Sequence, residues 1–211
     1  MVPQTQPTLA EAAYGRIEHL IATLELGPGN VFSEADLCAL LELGRTPVRE
    51  ALQRLASQGL IRVMPRRGMM VAPVDLRDML AIIETRKALD RLVARGVAER
   101  ASGPQRARIR AALQDLAGEG STFMEADGRL DEAIWTAAPN QFAVQAVRPL
   151  HTHCRRLWYR YHEAEDAARS AELHKAVVHA ILEGDGLAAE QRSDKLMDYL
   201  ALFTKHILIS A

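Results

Sequence analysis

The stretch RTPVREALQRLASQGLI, Arg45 to Ile61, decides the fold. Pro47 falls in what becomes a first helical turn, where backbone N–H groups lack intrahelical partners and proline is tolerated. Val48, Leu52, Leu55 and Ala56 recur at helical spacing on one face. Arg45, Arg49 and Gln53 recur four apart on another face, with Thr46 beside them. Gly59 stands where a helix commonly ends in a left-handed residue. The spacing predicts an amphipathic helix with an apolar back and a cationic front.

Ser33 to Leu40 reads as a shorter helix, because Ser33 and Asp36 form a capping-box-like start and Leu37, Leu40 and Leu41 supply a buried side. Beyond Gly59, Leu60–Met64 and Met69–Pro73 read as two short strands joined by the turn Pro65-Arg66-Arg67-Gly68, with two cations at its tip. Upstream, Thr8 and Glu11 form a second capping box. Leu9, Ala13, Ile17, Leu20, Ile21 and Leu24 then line one face of a helix that ends near Gly27-Pro28-Gly29. Between residues 40 and 73 six arginines face only two acids, Glu42 and Glu50. A basic helix face alone is ordinary solvated surface. The order of elements (capped helix, turn, Arg/Thr/Pro/Val/Arg helix, Gly, strand, basic turn, strand) is that of an N-terminal winged helix-turn-helix over residues 8–73. In such a module Arg45 and Arg49 are expected to read guanine edges in the major groove. Gln53 lies on the same face and Thr46 is expected on phosphate, with Arg66, Arg67 and Gly68 approaching the neighbouring groove.

The whole chain, 211 residues with a formal charge of −1, predicts no nucleic-acid affinity from bulk charge; the basic patch is local. Cys38 and Cys154 are far apart, which suits a reduced cytoplasmic protein better than a disulfide framework. No apolar run approaches the roughly 20 residues of a membrane span, and residues 1–7, Pro/Gln/Thr-rich and expected to be mobile, lack the marks of a signal peptide. From Leu76 onward there is no strand signal. Helices are expected from Asp75 to about Ala101, Gln105 to Leu116, Ser121 to Ala137, Gln141 to about His162, Asp166 to Leu182 and Leu187 to Ile209. Breaks fall at Ser102-Gly103-Pro104, Gly118-Glu119-Gly120, Pro139-Asn140 and Gly184. The fold class is therefore mainly α: a winged helix-turn-helix followed by an antiparallel six- to seven-helix bundle over 74–211.

The run Arg45-Thr46-Pro47-Val48-Arg49-Glu50-Ala51-Leu52, followed by Leu55, Gly59, Leu60 and a basic wing, resembles the DNA-binding domain of the GntR family of bacterial transcription regulators. The likeness covers about residues 8–73. Two departures stand out: Glu42-Leu43-Gly44 replaces the family's usual Gly-Val-Ser, removing a serine cap, and Ala35 stands where some relatives place an arginine. Residues 76–209 resemble, more loosely, the all-α (FCD-type) effector domain of the FadR-like branch, through Glu84-Thr85-Arg86 with Leu89-Asp90, Asp127 before Asn140, and Glu172-Leu173-His174 with Ala180 and Gly184-Asp185.

Many members of that branch hold a divalent metal (Zn, Mn, Fe or Ni) through an Asp, a His four residues on, and two further His. The resemblance maps these positions onto Asp127, Asp131, His174 and Leu196, so two of them carry no imidazole. Asp127, Asp131 and His174 remain as an incomplete metal site, and a hydrogen-bonded pair between Asp131 and His174 without metal is the alternative. The resemblance also turns Arg86 toward the bundle interior, as an anion partner for an organic acid or as an internal salt bridge to Asp127 or Asp131. Arg192 and Tyr199, about one turn either side of Leu196, are expected to face the same cavity, whereas His151, His153 and His179 are expected at the surface or in packing.

The expected protein is a cytoplasmic, ligand-responsive repressor or activator, without enzymatic activity and with no membrane partner. It binds a palindromic double-stranded DNA operator as a homodimer and responds to a small organic acid through Arg86, Asp127, Asp131, His174, Arg192 and Tyr199. Two rivals stand beside it: a DNA binder whose helical domain only dimerises, and a metal-dependent helical-bundle enzyme.

Overall fold

The computed structural model describes residues 8–116 and 123–210. The expected mobile segment 1–7, the break at 118–120 and the predicted helix start at Ser121 lie outside the described residues. The chain divides into two compact units, one through Val74 that also takes in Arg155–Arg160, the other from Asp75 to Cys154 and from Tyr161 on.

The first unit runs α1 (Leu9–Ala22), β1 (Val31–Phe32), α2 (Glu34–Leu41), α3 (Arg45–Ser57), β2 (Ile61–Met64) and β3 (Gly68–Val71). Both capping boxes form: the side chains of Thr8 and Ser33 accept from the backbone N–H of Glu11 and Asp36, whose carboxylates reach back to the capping backbone N–H. Glu42 closes α2 in the left-handed region at φ 54°, so the connection to α3 needs only residues 42–44. The apolar backs of the three helices meet around Ile17, Ile21, Leu37, Val48, Leu52 and Leu55, all at most 3% exposed. Tyr14 donates to Gln58 at 2.9 Å, and Arg16 donates at 2.7 Å to the carbonyl of Leu41, an end-of-helix oxygen otherwise without a backbone donor.

The strands form an antiparallel sheet of order β1-β3-β2, with Ile61 opposite Val71 and Phe32 opposite Met69. The two-residue β1 is too short to leave an alternating signature and was not anticipated. It explains Gly68: at φ +92°, a Cβ there would sit 2.6 Å from the carbonyl oxygen of Phe32. Gly68 opens β3 beside the hairpin tip, and its place in the wing is a backbone requirement.

The second unit is all-α among its described residues: α4 (Leu76–Arg100), α5 (Gly103–Leu116), α6 (Phe123–Ala137), α7 (Gln141–Tyr161), α8 (Ala164–Glu183) and α9 (Gly186–Ser210). Asp75 caps α4 by accepting from Arg77 N–H at 2.8 Å, and Gly184 ends α8 at φ 81°. α9 packs along α4, where Lys87 pairs with Asp198 and Arg91 with Glu190. The core is Val93, Val97, Ile109, Leu130, Val147 and Ile181 with their neighbours, each at most 3% exposed. No helix among the described residues is long and apolar enough to cross a membrane.

Gly68→Ala is expected to cost about 1–3 kcal/mol, because left-handed strain adds to a backbone clash. Hydrogen exchange of the intact protein should show faster exchange of β2 and β3 amides with α4 and α9 unchanged.

Candidate DNA-binding face and ligand cavity

α3 carries the first site. Val48, Ala51, Leu52 and Leu55 are buried, which leaves Arg45, Thr46, Arg49 and Gln53 exposed on the opposite side. Gly44 occupies the N-cap without a side-chain hydrogen bond, as the missing serine implied. The first N–H groups of α3 are therefore open to an external acceptor, and a helix N-terminus suits phosphate. Arg54, one position beyond Gln53, lies with its guanidinium 4.1 Å from the centre of the Tyr14 ring and so belongs to the packing of α1. At the hairpin tip Arg66, at φ 63°, and Arg67 are both exposed.

Arg49 is held. Its Nε donates to one oxygen of Glu34 at 2.9 Å and its Nη2 to the other at 2.8 Å. That hydrogen bond, more than the nearby charge of Arg45, keeps the Glu34 carboxyl below the usual range for a glutamate. Glu34 was not anticipated as part of this face. Its distance of 15 residues from Arg49 hides a pairing that only the turn between α2 and α3 creates.

The second site lies inside the helical unit, in a cavity of about 50 Å³. Arg86 and Asp90 come from α4, Asp131 and Trp135 from α6, His151 from α7, His174 from α8, and Ser193 and Leu196 from α9. Arg86 Nε donates to Asp90 Oδ2 at 3.1 Å, and Arg86 Nη2 lies 2.8 Å from His151 Nε2. His151 spans two carboxylates, with Nδ1 2.8 Å from Asp131 Oδ2 and Nε2 3.1 Å from Asp90 Oδ1, while Trp135 packs edge-on at 4.8 Å. His174 directs Nδ1 at the carbonyl of Ser170, 2.8 Å away, and Nε2 at Asp127 Oδ1, 3.0 Å away. The Ser170 hydroxyl also lies 3.3 Å from Nδ1, so the ring is held between Ser170 and the Asp127 carboxylate.

Burial is the largest single influence on His174 and opposes its charge, but Asp127, with Asp131 and the Ser170 carbonyl, together outweigh it and the pKa rises above the ordinary histidine value. For His151, burial and Arg86 push down, Asp131 and Asp90 push up, and the balance is again upward. Asp90 is held below the usual aspartate range, since Arg86 and His151 overcome its burial. Three carboxylates, Asp90, Asp127 and Asp131, thus face one arginine and two imidazoles whose hold on a proton is strengthened.

Several expectations are corrected by this arrangement. Asp127 pairs with His174 and Asp131 with His151, while the Asp131 charge also reaches His174. Leu196 lines the cavity with no donor atom, and no group of three His, Cys, Asp or Glu among the described residues is placed to hold a metal. These residues do not fit a divalent metal held as the resemblance implied. Arg86 does face inward, but toward Asp90 rather than Asp127 or Asp131. His151, expected at the surface or in simple packing, joins the network.

Arg192 is exposed, and Tyr199 donates to Asp166 at 2.8 Å; neither lines the cavity. The buried arc of α9 runs through Ala189, Ser193, Met197 and Leu200. Leu196 sits at one edge of that arc, and at about 100° per residue Arg192 and Tyr199 fall further outside it.

Two family profiles match the chain: bacterial regulatory proteins of the gntR family over residues 9–71, and the FCD domain over residues 81–199. The chain belongs to the GntR family of regulators that carry an FCD domain. An uncharacterised HTH-type transcriptional regulator of an intergenic region in Agrobacterium vitis is 32% identical over 131 residues, spanning 62% of this chain and 74% of that one. The galactonate operon transcriptional repressor of Escherichia coli is 29% identical over 183 residues, spanning 75% and 80%. The fold matches McbR/YncC of Escherichia coli with a TM-score of 0.82 at 18% identity, over 96% of this chain and 100% of that one. A putative GntR regulator from Rhodococcus sp. RHA1 matches with a TM-score of 0.70 at 21% identity, over 96% and 98%. The protein is a DNA-binding transcriptional regulator and not an enzyme.

The raised histidines set a pH dependence. A group whose folded pKa exceeds its unfolded value of about 6.5 stabilises fully below that value and loses its contribution as pH rises through the folded pKa. Urea midpoints are therefore expected to fall as pH is raised from about 6 into the range above the folded His pKa values. His174→Asn should flatten that slope while lowering stability at pH 6.

Proposed function

We propose that the protein binds a palindromic operator as a homodimer, in the cytoplasm, and that a small organic acid in the helical unit retunes or releases it. The observation that carries the DNA half is the outward face of α3. Arg45 and Arg49 are exposed one turn apart, backed by a fully buried apolar face, beside a wing tipped by Arg66 and Arg67. On this reading the two arginines meet guanine O6 and N7, Thr46 and the open N-terminus of α3 take phosphate, Gln53 follows along the groove, and the wing cations lie over the adjacent backbone. A two-fold dimer places two such helices on successive half-sites.

Arg49→Ala is expected to cost roughly 1–3 kcal/mol on the preferred duplex and to flatten preference at one base pair per half-site. Sites selected from a random-sequence duplex library, followed by gel-shift titration on selected and scrambled DNA, measure both. An equal loss on both duplexes removes the base-reading role.

For the sensing half, support comes from the polar cavity and from a relative named for a galactonate operon, galactonate being a hydroxy acid. An incoming carboxylate exchanges with Asp90 for the guanidinium of Arg86, next to His151. In this reading Asp127, Asp131 and His174 tune the charge around the ligand, without a metal, and Arg192 and Tyr199 take no direct part. A specific observation favours a second reading, in which the bundle only dimerises: Arg86, His151 and His174 are already paired with Asp90, Asp131 and Asp127 within the cavity.

A thermal-shift series with hydroxy acids separates the two. Binding at about 100-fold excess over Kd adds about 2.7 kcal/mol of apparent stability, and Arg86→Met should abolish the shift. Metal analysis of protein purified without chelator or affinity tag is expected to find well under one equivalent.

A further inference from the structure

The Glu34–Arg49 pair supports an inference beyond which residues touch DNA, and it rests on the reading of Arg49 as a base reader. A guanidinium has two edges that pair bidentately: the side-on edge, Nε with one Nη, and the end-on edge, the two Nη groups. Glu34 takes the side-on edge with both oxygens, at 2.9 and 2.8 Å. Nη1 and the remaining Nη2 hydrogen bond to nothing else among the described residues. The end-on edge is the one that fits guanine O6 and N7 together.

Glu34 is itself fixed in three ways. It opens α2 directly after the Ser33 cap, where the helix dipole favours an acid. Asp36, two residues on, is occupied by the cap and does not compete for Arg49. The Glu34 side chain is 26% exposed against 59% for that of Arg49, so the acid is the anchored partner and the arginine the presented one.

We propose that Glu34 is a specificity-determining positioning residue: its carboxylate clamps the side-on edge of Arg49 and presents the end-on edge in one orientation to a guanine. An unclamped arginine reaches phosphates and several base edges, and orders its side chain only on binding. A clamped one has met that cost and is aimed. Arg45 has no such clamp, so the two arginines differ in kind: Arg49 discriminates, whereas Arg45 tolerates more than one partner. The carboxylate also blunts the attraction of Arg49 to phosphate, which lowers affinity for unspecific DNA and widens the gap between right and wrong sites.

The test compares wild type, Glu34→Gln, Glu34→Asp and Arg49→Ala as full-length protein, each selected on a random-sequence duplex library and titrated on the wild-type consensus duplex and on single-base variants of it. Arg49→Ala identifies the base pair that Arg49 reads. At that position alone, Glu34→Gln is expected to lose about three- to tenfold of guanine preference, a fraction of what a full bidentate contact provides. Binding of scrambled DNA should hold or strengthen. Glu34→Asp, which keeps the charge on a shorter stem, should recover part of the preference. Unchanged selectivity in Glu34→Gln, while Arg49→Ala loses it, overturns the clamp. An equal loss by Glu34→Gln on every duplex makes Glu34 merely structural, and an equal gain on every duplex makes it only a competitor of DNA; either overturns the inference. If Arg49→Ala itself changes no base preference, the underlying base-reading assignment fails instead.

Discussion

The burial of one face of α3 is the constraint from which the rest of the first unit follows. Val48, Leu52 and Leu55 are all but fully enclosed, and a helix turning about 100° per residue has no freedom left once that face is committed. Arg45 and Arg49 must then project outward. The cationic front is thus a consequence of packing at the back. α1 and α2 supply the other side of that packing, and β1 to β3 place the wing cations beside it. Glu34 belongs to the same logic: α2 can reach Arg49 only because the turn between the helices is short and its left-handed Glu42 sends the chain straight into α3.

Wherever a feature was written along a single element it was legible in the sequence. The capping boxes at Thr8 and Ser33, the left-handed Gly59, the strand pair of the wing and the succession of helices in the second unit all rest on local spacing, which the chain displays directly. What could not be read were relations between elements. β1 exists because β3 needs a neighbour, and Gly68 is glycine because that neighbour is Phe32. His151 was discounted because His153, two residues away, faces another way, and a helix face cannot say which of its residues meets carboxylates on two other helices. Arg192 and Tyr199 were drawn to the cavity by assuming that Leu196 marks the centre of the buried arc of α9, whereas it marks an edge. Asp90 stands in the sequence as part of a motif, but its surroundings appear only when Arg86, four residues earlier, and His151 close on it together.

In the cavity, the consequence of losing two imidazoles is electrostatic as well as coordinative. Leu196 removes a donor, and Asp131 replaces a neutral ligand with an anion. A buried anion without a partner is costly, and here Asp131 pairs with His151, whose hold on a proton is strengthened by it. Asp127 finds its own cation in His174. The network is satisfied from within, which stabilises the closed arrangement and raises the threshold for anything that enters.

Both sites therefore present an arginine already bonded to a carboxylate, with opposite consequences. At the surface Glu34 takes one edge of Arg49, and the second edge remains in solvent, so the pairing leaves that edge open to a further acceptor. In the interior Arg86 lies between Asp90 and His151, with its side-on Nε already bonded to Asp90. A ligand there must break an ion pair in a medium of low polarity, where its separation is expensive, and it binds only by replacing what it displaces atom for atom. On the proposed function, DNA is met by addition to Arg49, whereas an organic acid at Arg86 is met by exchange with Asp90. Exchange across α4, α6 and α7 is also what would carry a local event to the packing of the helices, because Asp90, Asp131 and His151 each belong to a different one.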